Sequence, residues 1–288
     1  MSEIHDHDRG LSHDLPIIVQ RGLGRRSVLA LFGGASAVAL AACGTDGTST
    51  TSTGSTARTG AGPGGPPPDG GGGGTTVAVA EGEIPEETAG PYPADGSNGL
   101  DVLSESRIVR SDVTSSFGSA SGTAEGVPLT IRMKVYDLNG QDATVLFGAA
   151  VYLWHCNRAG EYSMYSDAVK DQNYLRGVQA TDAKGYVEFT SIFPGAYSGR
   201  WPHIHFEVYP SLDDATSASN KLRTSQMALP EEVCKQVYEA DGYDASVANL
   251  SQSSLSSDNV FSDGYSLQMA KVTGSNDEGY VATLNVPV

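Results

Sequence analysis

Two histidines at the start of a predicted strand are the residues of this sequence best suited to hold a metal ion. His203 and His205 are two positions apart. Alternate side chains of a strand point to the same face, so both imidazoles can reach one ion while Ile204 points into the core. Alone the pair is a weak signal, because strand histidines often only hydrogen-bond their neighbours.

Two tyrosines extend the pair to four candidate metal ligands. Tyr197 lies in a Pro-Gly-x-Tyr turn before His203, and Tyr162 follows Gly160. A phenol in water has a pKa near ~10, but a trivalent hard cation beside it stabilises the phenolate. Two phenolates and two imidazoles therefore suit Fe(III), whereas a divalent oxygenase iron more often binds two histidines and a carboxylate.

The elements that must position these residues are predicted to be strands. From Ile84 onward, short apolar or alternating runs are separated by Gly, Asn, Asp and Pro turns, and one short helix is predicted to begin at Pro230. No βαβ alternation is present, so we predict an all-β chain, an antiparallel β-sandwich with long loops and one short helix. The predicted strands are 130–136, 149–154, 185–190, 203–209 and 280–286.

The first 76 residues are expected to lie outside the folded domain. Arg25 and Arg26 precede an apolar stretch that ends in Leu40-Ala41-Ala42-Cys43. This pattern resembles a twin-arginine signal followed by a lipobox, which would make Cys43 a lipidated first residue of the mature chain. The alternative is a plain thiol beside an ordinary cleavage site.

These features divide the chain into three expected parts. We expect a lipoprotein signal at 1–43, a flexible Gly/Thr/Ser/Pro linker at 44–76 and one folded domain at 77–288. The mature protein would then lie on the outer face of the cell membrane as a lipoprotein, or be secreted.

Charge and cysteine content narrow the expected partners. The net charge is −16, which argues against nucleic acid or anionic lipid as partners, so membrane contact is expected only through the lipid anchor. Two cysteines remain after Cys43. In an exported protein these two, Cys156 and Cys234, could form a disulfide, although sequence alone does not show that they meet. A monomer and a homo-oligomer are both left open.

Several motifs, in order along the chain, resemble the intradiol ring-cleavage dioxygenases, the protocatechuate and catechol dioxygenase superfamily. The resemblance covers roughly residues 84–240, and a set of ordered motifs is more specific than any one of them. The motifs are 88–92, 110–112, 152–156 leading to 160–162, 176–182 with Gly185, 197–205 and 224–227.

The resemblance implies a mononuclear non-haem iron site and a reaction. One Fe(III) per chain would bind Tyr162, Tyr197, His203 and His205. Tyr197 would leave the iron when a catechol arrives and take up a substrate proton. The implied reaction is ring opening by O2 between the two hydroxylated carbons of a small aromatic diol, which gives a muconate-type diacid.

The resemblance also implies roles around the iron. Arg200 would stabilise negative charge on the bound ring, and Gln226 would lie near the oxygen site. A substrate loop would line the pocket, and its residues are Thr88, Gly90, Pro91 and Tyr92. A buttressing turn between the two tyrosines would have a structural role, and its residues are Arg176, Gln179, Thr181 and Asp182.

Two interpretations from other classes compete with an enzyme. A lipid-anchored cell-surface β-sandwich binding module without catalysis explains the signal, linker and sandwich, but not the four ligands and the arginine in family order. A metal store or sensor needs the ligands but not Arg200 or Gln226. Within the enzyme interpretation, the acidic chain favours catechol-like neutral rings over a carboxylated ring.

Overall fold

Nine strands and two short helices form the framework of residues 81–139 and 142–288, the part of the chain that the computed structural model describes. The predicted signal, the linker and Cys43 lie outside the described residues. The helices are α1 (Glu231–Val237) and α2 (Asp244–Ser251). The strands are β1 (Pro128–Asn139), β2 (Asp142–Val145), β3 (Ala150–Trp154), β4 (Arg176–Ala180), β5 (Tyr186–Ile192), β6 (His203–Tyr209), β7 (Arg223–Ala228), β8 (Lys271–Ser275) and β9 (Gly279–Pro287).

The strands form two sheets. One has the order β2-β1-β9-β8, with β5 also paired to β1, and the other has the order β4-β3-β6-β7. Strand β1 is long enough to pair with β5 near its start and with β2 near its end. Its pairing with β9 is parallel, and the other strand pairs among the described residues are antiparallel. The predicted all-β, mostly antiparallel sandwich is therefore confirmed.

Alternation along the strands decides which side chains face the core. Ile131 and Met133 of β1 are fully buried, as are Ile204 and Phe206 of β6, and all four belong to one apolar cluster. Each such side chain stabilises the fold by about 1.5–3 kcal/mol through burial. Since Ile204 points into this core, its neighbours on β6 point to the opposite face of the sheet, as the sequence predicted.

Three features differ from the predictions or extend them. Arg176 and Gln179, which were expected to form part of a buttressing turn, instead lie on strand β4. Arg176 pairs there with Trp154 of β3. The single predicted helix corresponds to α1, and α2 is an additional helix whose sequence has little amphipathic pattern. Cys156 and Cys234, whose pairing the sequence left open, are both free and buried.

In the part of the chain that the structure describes, none of the helices combines the length and apolar character needed to cross a bilayer.

Candidate functional site

The two histidines of β6 meet on the sheet face opposite the core. The Nε2 atoms of His203 and His205 are 3.0 Å apart, and both side chains are buried. His203 Nδ1 donates a hydrogen bond of 2.5 Å to the Trp201 carbonyl oxygen. A carbonyl only accepts, so the proton lies on Nδ1 and the Nε2 lone pair is directed into the site. His205 stacks on Trp154, with ring planes 9° apart.

Both predicted tyrosines converge on the histidines. Tyr197 Oη lies 3.2 Å from His203 Nε2 and 3.4 Å from Tyr162 Oη. The two loops that carry the tyrosines approach closely at a glycine: Gly160 has a φ of +83°, and a Cβ there would lie 3.1 Å from Tyr197 Cβ. The structure thus places all four predicted ligands in one continuous cluster of donor atoms.

Hydrogen bonds from the helical region hold the turn before Tyr197 in place. The Ala196 amide donates to Ser246 Oγ at 2.9 Å, and Asn249 Nδ2 donates to the Ala196 carbonyl oxygen at 2.9 Å. Both partners lie on α2, the helix that the sequence did not predict. The tyrosine loop is therefore fixed by a segment more than forty residues further along the chain.

Burial keeps the four donors neutral when no cation is present. It raises the pKa of Tyr197 to about 12 against an opposing effect of Arg200, and with Tyr197 nearby it raises the pKa of Tyr162 well above its usual value. Burial and Arg200 lower the pKa of His203 to about 3, and burial and His203 lower the pKa of His205 well below its usual value. Near neutral pH the cluster therefore consists of two protonated phenols and two uncharged imidazoles.

This donor set fits the Fe(III) that the sequence predicted. Two imidazole nitrogens and two phenol oxygens lie in one chain of contacts of 3.0–3.4 Å. His205 Nδ1 is buried without a hydrogen-bond partner, so His205 is oriented by stacking rather than by a proton acceptor. Phenolate oxygen is a hard, anionic ligand, and a trivalent ion offsets the cost of deprotonating a buried phenol.

The donors are of a different kind from a histidine and carboxylate cluster. Within residues 81–139 and 142–288, no group of three or more His, Cys, Asp or Glu side chains is placed to hold a metal ion. His155 lies apart from the four donors, and its ring nitrogens are 2.7 Å from Cys156 O and from Ser191 Oγ.

Arg200 lies at the edge of the donor cluster within a polar network. Its Nη1 is 3.4 Å from His203 Nε2, and its Nη2 donates to Gln226 Oε1 at 2.6 Å. Its Nε donates to Asp258 Oδ2 at 2.9 Å. Gln226 Nε2 in turn donates to the Thr88 carbonyl oxygen at 2.8 Å. The network therefore links the guanidinium to the loop predicted to bind substrate.

The predicted substrate loop covers the donors at Gly90. Gly90 has a φ of +72°, and a Cβ added there would lie 3.4 Å from His205 Cε1. The Tyr92 ring packs on Tyr162 with centroids 4.9 Å apart. Thr88 Oγ1 accepts a hydrogen bond from the Gly90 amide at 3.0 Å. Pro91, between Gly90 and Tyr92 in the chain, is exposed. Its carbonyl oxygen accepts a hydrogen bond from Asn98 Nδ2.

Arg176 of strand β4 holds this loop in place through hydrogen bonds. The buried guanidinium donates to the carbonyl oxygens of Tyr92 and Pro93 at 3.0 and 2.9 Å. It also donates to Tyr152 Oη and to the Ser163 carbonyl oxygen. The sequence had assigned Arg176 a structural role, and its location explains how a strand residue supports the loop over the donors.

Asp258 is the site residue that sequence reasoning missed. Its carboxylate is fully buried and contacts both Arg200 and the Trp201 amide. Burial alone would raise the pKa of Asp258, but Arg200 and these hydrogen bonds hold the pKa below its usual value. Asp258 lies in an irregular, serine-rich segment with no motif, so only the tertiary structure reveals it.

Comparison with known proteins relates part of this chain to dioxygenases. Residues 109–204 match the family model described as "Dioxygenase". Catechol 1,2-dioxygenase 2 of Acinetobacter lwoffii is 36% identical over 77 residues, which are 27% of this chain and 26% of that protein. Chlorocatechol 1,2-dioxygenase of Rhodococcus opacus is 41% identical over 84 residues, covering 23% of this chain and 33% of that protein. The chain thus spans about a quarter to a third of the length of these relatives.

A solved structure is similar to this chain over a longer stretch. An intradiol ring-cleavage dioxygenase from Tetranychus urticae superposes with a TM-score of 0.52 at 22% identity, over 62% of this chain and 86% of that one. At this level of identity the similarity shows the fold. The chain therefore has the all-β fold of that protein, and Tyr162, Tyr197 and His203 lie within the residues that match the family model.

Proposed function

We propose that this protein is a non-haem Fe(III) intradiol dioxygenase, which cleaves the ring of a catechol-type diol with O2. The observation that carries the proposal is the convergence of two phenols and two imidazoles, with an arginine beside them. Tyr162, Tyr197, His203 and His205 would hold the ion. Bound there, Fe(III) would act as a Lewis acid that activates the ring of a bound diol toward O2.

The two tyrosines have different surroundings, which assigns them different tasks. Tyr162 is 1% exposed and packs beneath Tyr92, so it acts as a fixed ligand. Tyr197 is only partly buried and lies beside the exposed turn residues Ser198 and Gly199. Tyr197 is therefore the tyrosine whose phenol can turn away from the ion and hold the proton released by a substrate hydroxyl.

Arg200 supplies fixed positive charge at the donor cluster. Its guanidinium contacts His203 Nε2 and is 13% exposed, so water screens it little. Charge that develops on an electron-rich ring held beside the histidines is stabilised without reorganisation of the guanidinium. A metal store or sensor has no use for such a group, so Arg200 favours an enzyme over those alternatives.

The substrate that fits this site best is an uncharged catechol. Arg200 is the guanidinium beside the donors, and its charge is already paired with Asp258. A ring carboxylate would have to compete with Asp258 for the same cation. The partly exposed Tyr92 ring, which packs on Tyr162, instead offers an aromatic surface for a planar ring.

The test of this function is stoichiometry. The iron-loaded, full-length chain should consume one O2 per catechol and release one muconate-type diacid, because both oxygen atoms enter the product and no other co-reactant is needed. Mass spectrometry after reaction in ¹⁸O2 should find two labelled oxygens in the diacid. Tight binding of catechol without O2 uptake would instead favour the binding-module interpretation.

Export and lipidation form a separate proposal, which rests on residues 1–43. Cys43→Ser is expected to move the protein from the membrane fraction to the soluble fraction of a bacterial host, because the thiol is the attachment point for lipid. Fractionation and the mass of the N-terminal peptide would measure this. The control Thr45→Ser, two positions away, should leave the distribution unchanged, and a membrane-bound Cys43→Ser protein would contradict the lipobox assignment.

A further inference from the structure

We propose that Asp258 is a positioning residue, which fixes the orientation of the Arg200 guanidinium toward the donor cluster. The proposal rests on the proposed function in that it assigns a catalytic purpose to this orientation. Asp258 lies in the irregular segment between α2 and β8. That segment is outside the dioxygenase-family match at 109–204.

The Asp258 carboxylate is itself fixed on both sides. Its Oδ2 accepts from the Trp201 amide at 2.7 Å, next to the arginine that it binds. Its Oδ1 accepts from the amides of Val260 and Phe261 at 2.9 and 3.2 Å. With no exposed surface on its side chain, the carboxylate has a single well-defined position. Its charge is matched by the guanidinium, as burial of a carboxylate requires.

The contacts use one edge of the guanidinium and leave the other directed at the histidines. Asp258 accepts from Arg200 Nε at 2.9 Å and from Nη2 at 3.4 Å. Nη2 also donates to Gln226. Since the guanidinium is planar, fixing the Nε and Nη2 edge determines where Nη1 points, which is 3.4 Å from His203 Nε2. Gln226 alone would hold one nitrogen and leave the plane free to rotate.

The segment that carries Asp258 is attached to the same sheet as His203 and His205. The Ala228 amide at the end of β7 donates to the Gln268 carbonyl oxygen at 2.8 Å, and the Ala270 amide donates to Ala228 O at 2.9 Å. Phe261 is fully buried, with its ring edge-on to His203. A segment distant in sequence therefore completes the surroundings of Arg200.

A double-mutant cycle tests whether Asp258 acts through Arg200. Asp258→Asn keeps the shape and an acceptor but removes the charge, and we expect kcat to fall about 10- to 100-fold while iron content is retained. In an Arg200→Gln background, where there is no guanidinium to orient, the same substitution should change kcat by less than about 3-fold. Equal effects of Asp258→Asn in both backgrounds, or no effect in either, would overturn the proposal.

A matched control and a second readout separate positioning from general loss of stability. Glu83→Gln also breaks a buried pair with an arginine, Arg223, and should leave kcat within about 3-fold because it lies outside the Arg200 network. In the metal-free protein, the Arg200 Nε–H resonance should exchange slowly with solvent and become fast-exchanging in Asp258→Asn.

The NMR readout is independent of catalysis. If the wild-type chain cleaves no diol, the proposed function fails, yet fast exchange in Asp258→Asn would still show that Asp258 holds Arg200. An Arg200 resonance that is equally protected in both proteins would show that Asp258 does not position it.

Discussion

Replacing Tyr162 by Phe should abolish Fe(III) binding and with it all turnover. The substitution removes one oxygen and keeps the ring that packs under Tyr92, so the fold should survive. Loss of a residue that only orients a metal ligand typically costs about 10- to 100-fold in affinity, and loss of a ligand itself should exceed that. Iron content after dialysis and O2 uptake would measure the two effects.

Tyr174→Phe provides the matched control for this variant. Tyr174 is also a buried tyrosine, and its hydroxyl accepts a hydrogen bond from Asn157 Nδ2 at 3.3 Å. Its loss should cost about 1 kcal/mol of folding stability and leave iron content unchanged. If Tyr162→Phe retained iron as well as Tyr174→Phe does, the assignment of Tyr162 as a ligand would be wrong.

Arg200→Gln should separate catalysis from iron binding. We expect iron and colour to be retained while kcat falls about 10²- to 10³-fold, equivalent to about 2.7–4 kcal/mol of transition-state stabilisation. The physical reason is loss of the charge that lies 3.4 Å from His203 Nε2. Single-turnover kinetics on catechol would measure the loss.

Two further variants make this result interpretable. Arg200→Gln alone leaves the Asp258 carboxylate buried without a partner, which can destabilise the fold by about 3–5 kcal/mol. The double variant Arg200→Gln/Asp258→Asn removes both charges and should recover melting temperature without recovering kcat. Arg132→Gln, which breaks an exposed pair with Glu188 on the other sheet, should leave kcat unchanged. Near wild-type kcat in the stabilised double variant would refute the role of Arg200.

The histidine geometry could be predicted from sequence because it is local. His203 and His205 lie on one strand, and strand alternation alone places them on one face with Ile204 in the core. Strand β4, which lies at the edge of its sheet, could not be predicted, since an arginine such as Arg176 is rarely buried. Arg176 is stable there because loop carbonyl oxygens satisfy its donors.

The rest of the site depends on contacts between segments far apart in sequence. The resemblance suggested that the loop at Gly90 lies near the histidines, but no local pattern predicts that its backbone passes over His205. The hydrogen bonds of Ala196 with Ser246 and Asn249 join segments separated by about fifty residues. The hydrogen bond from Arg200 to Asp258 spans a similar separation. Such contacts depend on how the chain packs after its strands have paired.

The visible absorption spectrum of the iron-loaded, full-length chain, before and after catechol is added under nitrogen, tests the tyrosinate iron centre most directly. A red-brown band from phenolate-to-Fe(III) charge transfer, which shifts when catechol binds and is lost in Tyr162→Phe, is the predicted result. A chain that stays colourless after loading with ferric iron would contradict the iron centre, and the binding-module interpretation would then be the better account of this fold.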